Sequence, residues 1–214
     1  MAELSFAVTG ARAEPYAASP TLMLQLRIEE KSGEPVHAVA LRCQIQIEPR
    51  DRRYSPLEEE RLVDLFGEPP RWADTLKTLF WTQAPVMVLA FERSTQVDLP
   101  VSCTYDFEVA AAKYFHALDE GEIPLVLLFS GTVFTNRGFG FGVEPVPWDC
   151  EARFRLPVAV WREVMDRYFP GSAWIRLRRD SFDALHRFKG RRALPSWEHA
   201  IEALLQAAEK QERA

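Results

Sequence analysis

The sequence lacks the spaced cysteines and histidines of a metal site. Its three cysteines, Cys43, Cys103 and Cys150, are far apart, and none of the four histidines lies within four residues of another or of a cysteine. An odd number of isolated cysteines is typical neither of a disulfide framework nor of a CxxC metal clip. We therefore expect reduced thiols, no metal and no cofactor. We also expect all three thiols to be buried, because each shares the parity of the apolar residues around it.

A long apolar run and an export signal are also missing. The most apolar stretch, 123–129, has seven residues, whereas a membrane-spanning helix needs roughly 20. The first residues have no basic region followed by an apolar core, as a signal peptide would. We therefore expect a cytoplasmic protein without membrane insertion.

Catalytic motifs are lacking as well. The glycine-rich stretch 138–142 has no Gly-Lys-Ser/Thr and does not open a helix, so a strand after a turn explains it better than a phosphate loop. The carboxylate runs at 58–60 and 119–122 are typical of a solvated helix face and of a turn. The sequence therefore predicts no catalytic residue.

What the sequence does contain is the period-2 alternation of strands that bury one face. It is clearest from Val97 to Val109, where apolar residues alternate with polar ones. The turn at 31–34, with Gly33, predicts a hairpin between two strands. The predicted strands are 4–9, 22–29, 36–47, 79–82, 86–91, 97–109, 123–135 (apolar on both faces and therefore central), 139–143 and 150–156.

Helix signals mark six further segments. Ser55, Pro56 and Glu58 form the pattern of a capping box with proline in the first turn, and Gly67 ends the segment. Helical spacing takes over at Pro157. The other predicted helices are 72–77, 110–118, one from Asp180 or Ser181, and one capped by Ser196.

Strands followed by helices predict the α+β class, with a mainly antiparallel sheet or sandwich of about eight strands and C-terminal helices. No linker divides the chain, so we expect a single domain, 1–214. Within this domain, we expect a helical C-terminal portion, 157–210, to pack on a β-rich core, 1–156.

Charge is unevenly divided along the chain. Residues 153–192 contain 11 Lys and Arg against 4 Asp and Glu, net +7, and the rest contains 15 against 27, net −12. Arginine interleaved with aromatic residues is typical of protein interfaces. In an extended segment, Ile175 and Leu177 would face the core. The predicted partner-binding residues are Trp174, Arg176, Arg178, Arg179, Arg187, Arg191 and Arg192.

Several segments carry a resemblance to a known family. They are 117–125, 129–134, 146–148, 154–158, Trp161 and 168–174. Together they resemble a bacterial family of uncharacterised proteins associated with gene clusters for high-affinity uptake nickel-iron hydrogenases, over nearly the whole chain. The resemblance implies hydrogenase accessory or assembly work, and the family has no established catalytic residues to carry over to this sequence.

Three hypotheses follow. The preferred one is a non-enzymatic accessory protein that binds a protein partner, with a hydrogenase subunit or maturation factor as the candidate. A second is an enzyme or small-ligand binder whose site is assembled from distant strands, with His37, expected on the inward face of its strand, Cys103 and Cys150 as contributors. A third is a structural building block that adds strands at a sheet edge. Nucleic acid is not expected, because the whole chain is acidic. The basic residues could also be solvated or pair with the chain's own acidic portion.

Overall fold

The computed structural model describes residues 3–103, 109–136, 140–172 and 175–212. These residues confirm the α+β class with mainly antiparallel strands. The strands are β1 (Leu4–Ala13), β2 (Thr21–Glu30), β3 (Val36–Ile47), β4 (Leu79–Val88), β5 (Ser94–Ser102), β6 (Glu122–Asn136), β7 (Phe141–Pro145) and β8 (Glu151–Pro157). The helices are α1 (Pro56–Phe66), α2 (Trp72–Thr75), α3 (Ala110–Ala117), α4 (Val158–Tyr168), α5 (Arg179–Arg191) and α6 (Trp197–Glu212).

The strands form two antiparallel sheets. One has the order β1-β2-β5, and the other has the order β4-β3-β6-β7, with β8 also paired to β6. The rings of Phe6 on β1 and Phe129 on β6 stack with centroids 4.2 Å apart, so the inner faces of the two sheets meet there. The inward residues of β2 and β3 are among the most buried in the chain: Leu22, Leu24, Leu26, Ile28, Val39, Leu41, Cys43, Ile45 and Ile47.

Strand β6 is central, as its apolar sequence predicts. It pairs with β3 along most of its length and with β7 and β8 at its two ends. Gly131 lies at φ +146° where β6 passes β3, and a Cβ there would lie 2.1 Å from the carbonyl oxygen of Ala40. Only glycine therefore allows the two backbones to approach this closely.

The connection between β2 and β3 is not the predicted hairpin. Gly33 has the expected positive φ, but β2 and β3 belong to different sheets. The carboxylate of buried Glu30 organises the turn by accepting hydrogen bonds from the backbone N–H groups of Glu3 (3.1 Å), Ser32 (2.9 Å) and Gly33 (2.7 Å), and from the Ser32 hydroxyl. Burial opposes the charge of Glu30, but these donors outweigh it and lower the pKa of this carboxyl.

Replacing Glu30 with Gln should therefore destabilise the protein, by about 1–2 kcal/mol at neutral pH, because the donors lose a charged acceptor. A carboxyl with a lowered folded-state pKa stabilises above its unfolded pKa of about 4.3, and this contribution is lost as pH falls through the folded value. The difference between wild type and Glu30→Gln should thus shrink in acid. Urea unfolding at several pH values measures it. Glu29→Gln, which touches only an exposed pair with Arg27, is the control. An equal effect of both variants would contradict the role of Glu30.

Two further strand predictions need correction. Residues 79–91 form one strand to Val88 instead of two, because β4 is the last strand of its sheet and Pro85 needs no ladder partner on the outer side. Strand β5 ends at Ser102, and Val109 is exposed next to α3 instead of continuing the strand. The intervening positions 104–108 of that prediction lie outside the described residues.

A buried ion pair joins α1 to the start of β6. The side chains of Arg52 and Glu58 are 8% and 4% exposed and pair with each other. Arg52 also donates to the carbonyl oxygens of Glu120 (2.7 Å) and Glu122 (2.9 Å). Glu58 accepts from the backbone N–H groups of Ser55 and Asp119, both at 2.9 Å. The predicted capping box of α1 is therefore confirmed, and its glutamate also holds the chain before β6.

Replacing Glu58 with Ala should cost about 3–5 kcal/mol, because the buried guanidinium of Arg52 would lose its counter-charge. Glu60→Ala on the exposed face of α1 is the matched control and should change stability by less than about 0.5 kcal/mol. Urea unfolding followed by tryptophan fluorescence compares the two. Similar midpoints would show that the pair is dispensable.

The chain divides into two compact units, Met1–Trp174 and Ile175–Ala214. The first unit includes α4, whose buried Trp161, Val164 and Met165 belong to the helical spacing predicted from residue 157, with Val158 buried at its start. The helical part predicted to begin at residue 157 therefore contributes its first helix to the β-rich unit. The second unit contains α5 and α6. The single domain of 1–214 stays a prediction.

Candidate partner-binding site

The basic region lies on a helical hairpin made of α5 and α6. Helix α6 begins after Ser196, as predicted, and the backbone N–H of His199 donates to the Ser196 hydroxyl at 3.3 Å. The rings of Phe182, His186 and Trp197 cluster with centroids 5.4–6.3 Å apart and join the two helices. This cluster fixes which side of α5 faces α6.

Three arginines lie along one i, i+4 row of α5, which begins at Arg179 on the side of this cluster and turns away from it toward Arg191. Arg179, Arg187 and Arg191, which we call the arginine ridge, follow the helical spacing i, i+8 and i+12 and are exposed. Asp183 lies between them, with Oδ1 3.5 Å from Nε of Arg179. Within the described part of the chain, Arg187 and Arg191 form no ion pair. Two of the three guanidinium groups are therefore available to a partner's carboxylates.

Two other cations of the hairpin lie over its own rings. Lys189 Nζ is 5.6 Å from the ring centre of Trp197, and the Arg192 guanidinium is 4.8 Å from that of Phe188. Such contacts contribute about 0.5–1 kcal/mol each at exposed positions. Arg192, which was predicted to bind a partner, thus also has a contact within the hairpin.

The segment before α5 differs from the prediction. Residues 175–178 are not a strand, and Ile175 and Leu177 are 65% and 42% exposed instead of facing the core. Arg176 and Arg178 are exposed in the same segment. Trp174, also predicted to bind a partner, lies outside the described residues. Alternation alone was misleading here because no neighbouring strand pairs with these residues within the described part of the chain.

The structure does not bring together the residues of the distant-strand hypothesis. His37 is exposed, because it is the extra residue of a β-bulge between the pairs Val36–Thr135 and Ala38–Phe134. The carbonyl oxygen of Cys150 accepts a hydrogen bond from the backbone N–H of Phe129 on β6. At about 3.3 Å per residue, Phe129 lies roughly 20 Å along β6 from the bulge. Cys103 follows β5 in the other sheet.

A family comparison places these features in context. A sequence profile described as a family of unknown function matches residues 1–213. The chain belongs to the DUF6084 family. No curated protein matches the sequence of this DUF6084 chain. The family carries no assigned function, so the hydrogenase association expected from the sequence stays a prediction.

Solved structures add only weak likenesses to the DUF6084 chain. A beta-glucosidase from Kluyveromyces marxianus matches with a TM-score of 0.25 and 5% identity over 72% of this chain, which spans 15% of that protein. The putative ApaA protein from Bordetella pertussis matches with a TM-score of 0.23 and 13% identity. The match covers 72% of this chain and 93% of that protein. Beta-glucosidase 3B from Thermotoga neapolitana matches with a TM-score of 0.24 and 15% identity. The match covers 72% of this chain and 17% of that protein. At these scores none of the three carries an argument about the DUF6084 chain.

One cleft of the DUF6084 chain, with charged side chains at an otherwise largely apolar lining, was not expected from the sequence. It measures about 360 Å³ and is lined by Arg61, Asp64, Lys113 and His116, among others. Burial lowers the pKa of His116, and the positive charges of Arg61 and Arg162 lower this pKa further. The sequence signal for this cleft was the pair Lys113 and His116, three residues apart on α3 and therefore on one side of that helix.

The charged groups around this cleft are bound to one another. Asp119 Oδ1 lies 2.6 Å from Arg61 and 3.3 Å from Arg162, and the hydrogen bond from Arg61 holds the pKa of this carboxyl below its usual value. Lys113 pairs with Asp64. The arrangement is therefore a surface charge network in which the carboxylates already have partners.

Other clefts in the described residues have volumes of about 270–970 Å³. The cleft of about 970 Å³ lies beside the buried pair of Arg52 and Glu58 and is lined by both acidic and basic side chains. Among the described residues, no group of three His, Cys, Asp or Glu could hold a metal ion. Within the same residues, no helix is long and apolar enough to cross a membrane.

The three thiols differ in burial. Cys43 and Cys103 are buried as predicted, and burial raises the pKa of each thiol to about 12. Cys150 is only half-buried, which corrects the prediction, because it precedes β8 and lies at the margin of the core. Burial, then the charge of Asp149, raises the pKa of Cys150.

At pH 8 we expect Cys150 alone to react with a thiol reagent in the folded protein, and slowly, because a raised pKa leaves little thiolate. Cys43 and Cys103 should react only after unfolding. Absorbance of the released thiol product, with peptide mapping, measures each rate. In Cys150→Ser the native reaction should disappear. Rapid modification of Cys43 or Cys103 would show that their strands open in the native state.

Proposed function

We propose that this DUF6084 protein is a non-enzymatic accessory protein that binds an acidic protein partner through the arginine ridge. The observation that supports this most is the line of exposed guanidinium groups on one face of α5. Arg187 and Arg191 have no counter-ion among the described residues. The positive charges of Arg187 and Arg191, four residues apart, repel each other and destabilise the free helix. A partner that neutralises them relieves this repulsion and therefore binds more tightly.

An acidic protein suits the ridge for geometric reasons. A guanidinium binds a carboxylate through two parallel hydrogen bonds, and arginine is enriched at protein interfaces. The ridge extends from Arg179 to Arg191, about 18 Å at 1.5 Å per residue. This length fits the face of one partner helix or loop. The exposed residues Arg176, Arg178 and Arg192 flank it and can extend the contact.

The partner we propose is a hydrogenase subunit or maturation factor in the cytoplasm, as the resemblance of the sequence implies. Nickel delivery would require a cluster of histidines or of cysteines and histidines. The sequence has isolated histidines and cysteines instead. A role through protein contact therefore fits the chain better than a role through metal transfer. Nucleic acid is not the proposed partner, because the net charge of the chain is −5.

Reversing the ridge with Arg179→Glu, Arg187→Glu and Arg191→Glu should lower recovery of the specific partner at least tenfold. The effect should be larger at low salt than at high salt, because salt screens exposed charges. Quantitative pull-down from the native host with mass spectrometry measures recovery. The matched control reverses three exposed arginines of the first unit, Arg42, Arg53 and Arg71, with the same change in net charge. Equal recovery of the same proteins by both variants would overturn the proposal.

A further inference from the structure

The cleft between α1 and α3, which we call the α1–α3 cleft, has an apolar floor and a charged rim. Leu62 of α1 and Ala117 of α3 are buried, and half-buried Leu65 also lines the cleft. The titratable side chains of the rim are Arg61, Asp64, Lys113 and His116. A volume of about 360 Å³ is at the lower end of the range of small-ligand pockets, about 300–1,000 Å³. The cleft therefore suits a small ligand that is charged at one end and apolar at the other.

The charges around the α1–α3 cleft are not balanced. The ion-pair network at its rim has three cations and two carboxylates, net +1: Arg61, Lys113 and Arg162 against Asp64 and Asp119. Both carboxylates already have cations of the network as partners. A cleft with excess charge of one sign attracts ligands of the other sign. Because the excess is a single positive charge, a monoanion from solution balances it.

Donor groups at the rim remain available to such an anion. Within the described residues, Arg61 donates to Asp119 and to the carbonyl oxygen of Ala117 through Nη1, and a guanidinium also carries donors on Nε and Nη2. The ammonium of Lys113 can donate to more than one acceptor, and its partner Asp64 is 74% exposed. An ion pair this exposed contributes little to stability. Lys113 can therefore exchange Asp64 for a ligand, and Arg61 can donate two parallel hydrogen bonds to a carboxylate.

We propose that the α1–α3 cleft binds a small aliphatic monocarboxylate, with its carboxylate at Arg61 and Lys113 and its tail on the apolar floor. Inorganic phosphate has no apolar part and would leave the floor uncovered. A neutral alcohol would leave the excess charge unbalanced. The proposal goes beyond the function proposed above, because it uses residues of the first unit and none of the arginine ridge.

Proton uptake by His116 should accompany ligand binding. A carboxylate nearby favours the imidazolium form, so it raises the pKa of His116 from its lowered value in the free protein. By linkage, affinity for the carboxylate should then rise as the pH falls from about 8 to about 6. The other charged groups around His116 do not titrate in this range. They are Arg61 and Asp64 of α1, Lys113 of α3, Arg162 of α4 and Asp119 in the loop before β6.

The test is an NMR titration of the ¹⁵N-labelled full-length protein with sodium hexanoate. Hexanoate should shift the amide signals of α1 and α3 with a Kd of about 1 mM or lower, as expected for so small a ligand. Each buried methylene contributes a gain in affinity of about fourfold, so hexanoate should bind at least about fivefold more tightly than butyrate. Hexanol and inorganic phosphate should each bind at least about tenfold more weakly than hexanoate, because each lacks one of the two contacts.

Two lysine variants show whether the excess charge holds the ligand. Lys113→Gln removes this charge and should weaken hexanoate binding at least about fivefold, whereas Lys77→Gln, at an exposed lysine elsewhere in the first unit, should leave it unchanged. The NMR spectrum of each variant also shows whether its fold is retained. His116→Gln should abolish the gain in affinity at lower pH, and a gain that persists would place the carboxylate elsewhere and overturn the proposal. Equal affinity of both lysine variants, or no shift in wild type at about 20 mM hexanoate, would overturn it too. Shifts of equal size at exposed Leu204 and Leu205 of α6 would overturn it as nonspecific adsorption.

Discussion

The first unit depends on the buried pair of Arg52 and Glu58. Moving two charged groups out of water costs several kcal/mol each, and this cost is offset only when the remaining hydrogen-bonding groups are satisfied. Here the pair is supplemented by carbonyl oxygens of Glu120 and Glu122 and by the backbone N–H groups of Ser55 and Asp119. Arg52 Nε remains without a partner in the described residues. The pair therefore stabilises one local arrangement of α1 against the start of β6 more than it adds to total stability.

The aromatic core beside this pair depends on the same arrangement. Tyr54 follows Arg52 in the chain, and its hydroxyl lies 2.9 Å from that of Tyr114 on α3. Burial raises the pKa of both phenols, so they remain neutral. Phe115, next to Tyr114, packs with ring centroids 4.8 Å from Trp81 on β4 and 5.5 Å from Trp161 on α4. One short stretch of α3 thus joins helices and sheet in a single core.

The parts of this fold that sequence predicts are those with local causes. The capping box of α1 is written in four consecutive residues, and the apolar character of β6 marks a central strand wherever its partners lie. The change of sheet after Glu30 and the bulge at His37 depend on which strands pair, and pairing is decided by contacts far along the chain. For the candidate site, the sequence indicated the basic composition and a helix beginning near Asp180, which is α5. It did not indicate that Ile175 and Leu177 are exposed, since alternation predicts a buried face only when another layer covers it.

Pro85 has a consequence for how the protein avoids aggregation. Strand β4 ends its sheet and carries exposed Phe80 and Met87, with exposed Leu89 just beyond it. An apolar edge of this kind is a template for non-native strand pairing between crowded chains. Proline cannot donate a hydrogen bond to an incoming strand, so it interrupts that template in the middle of β4. Pro85, which lies between the strands predicted at 79–82 and 86–91, therefore protects the edge of β4 against such pairing during synthesis and folding.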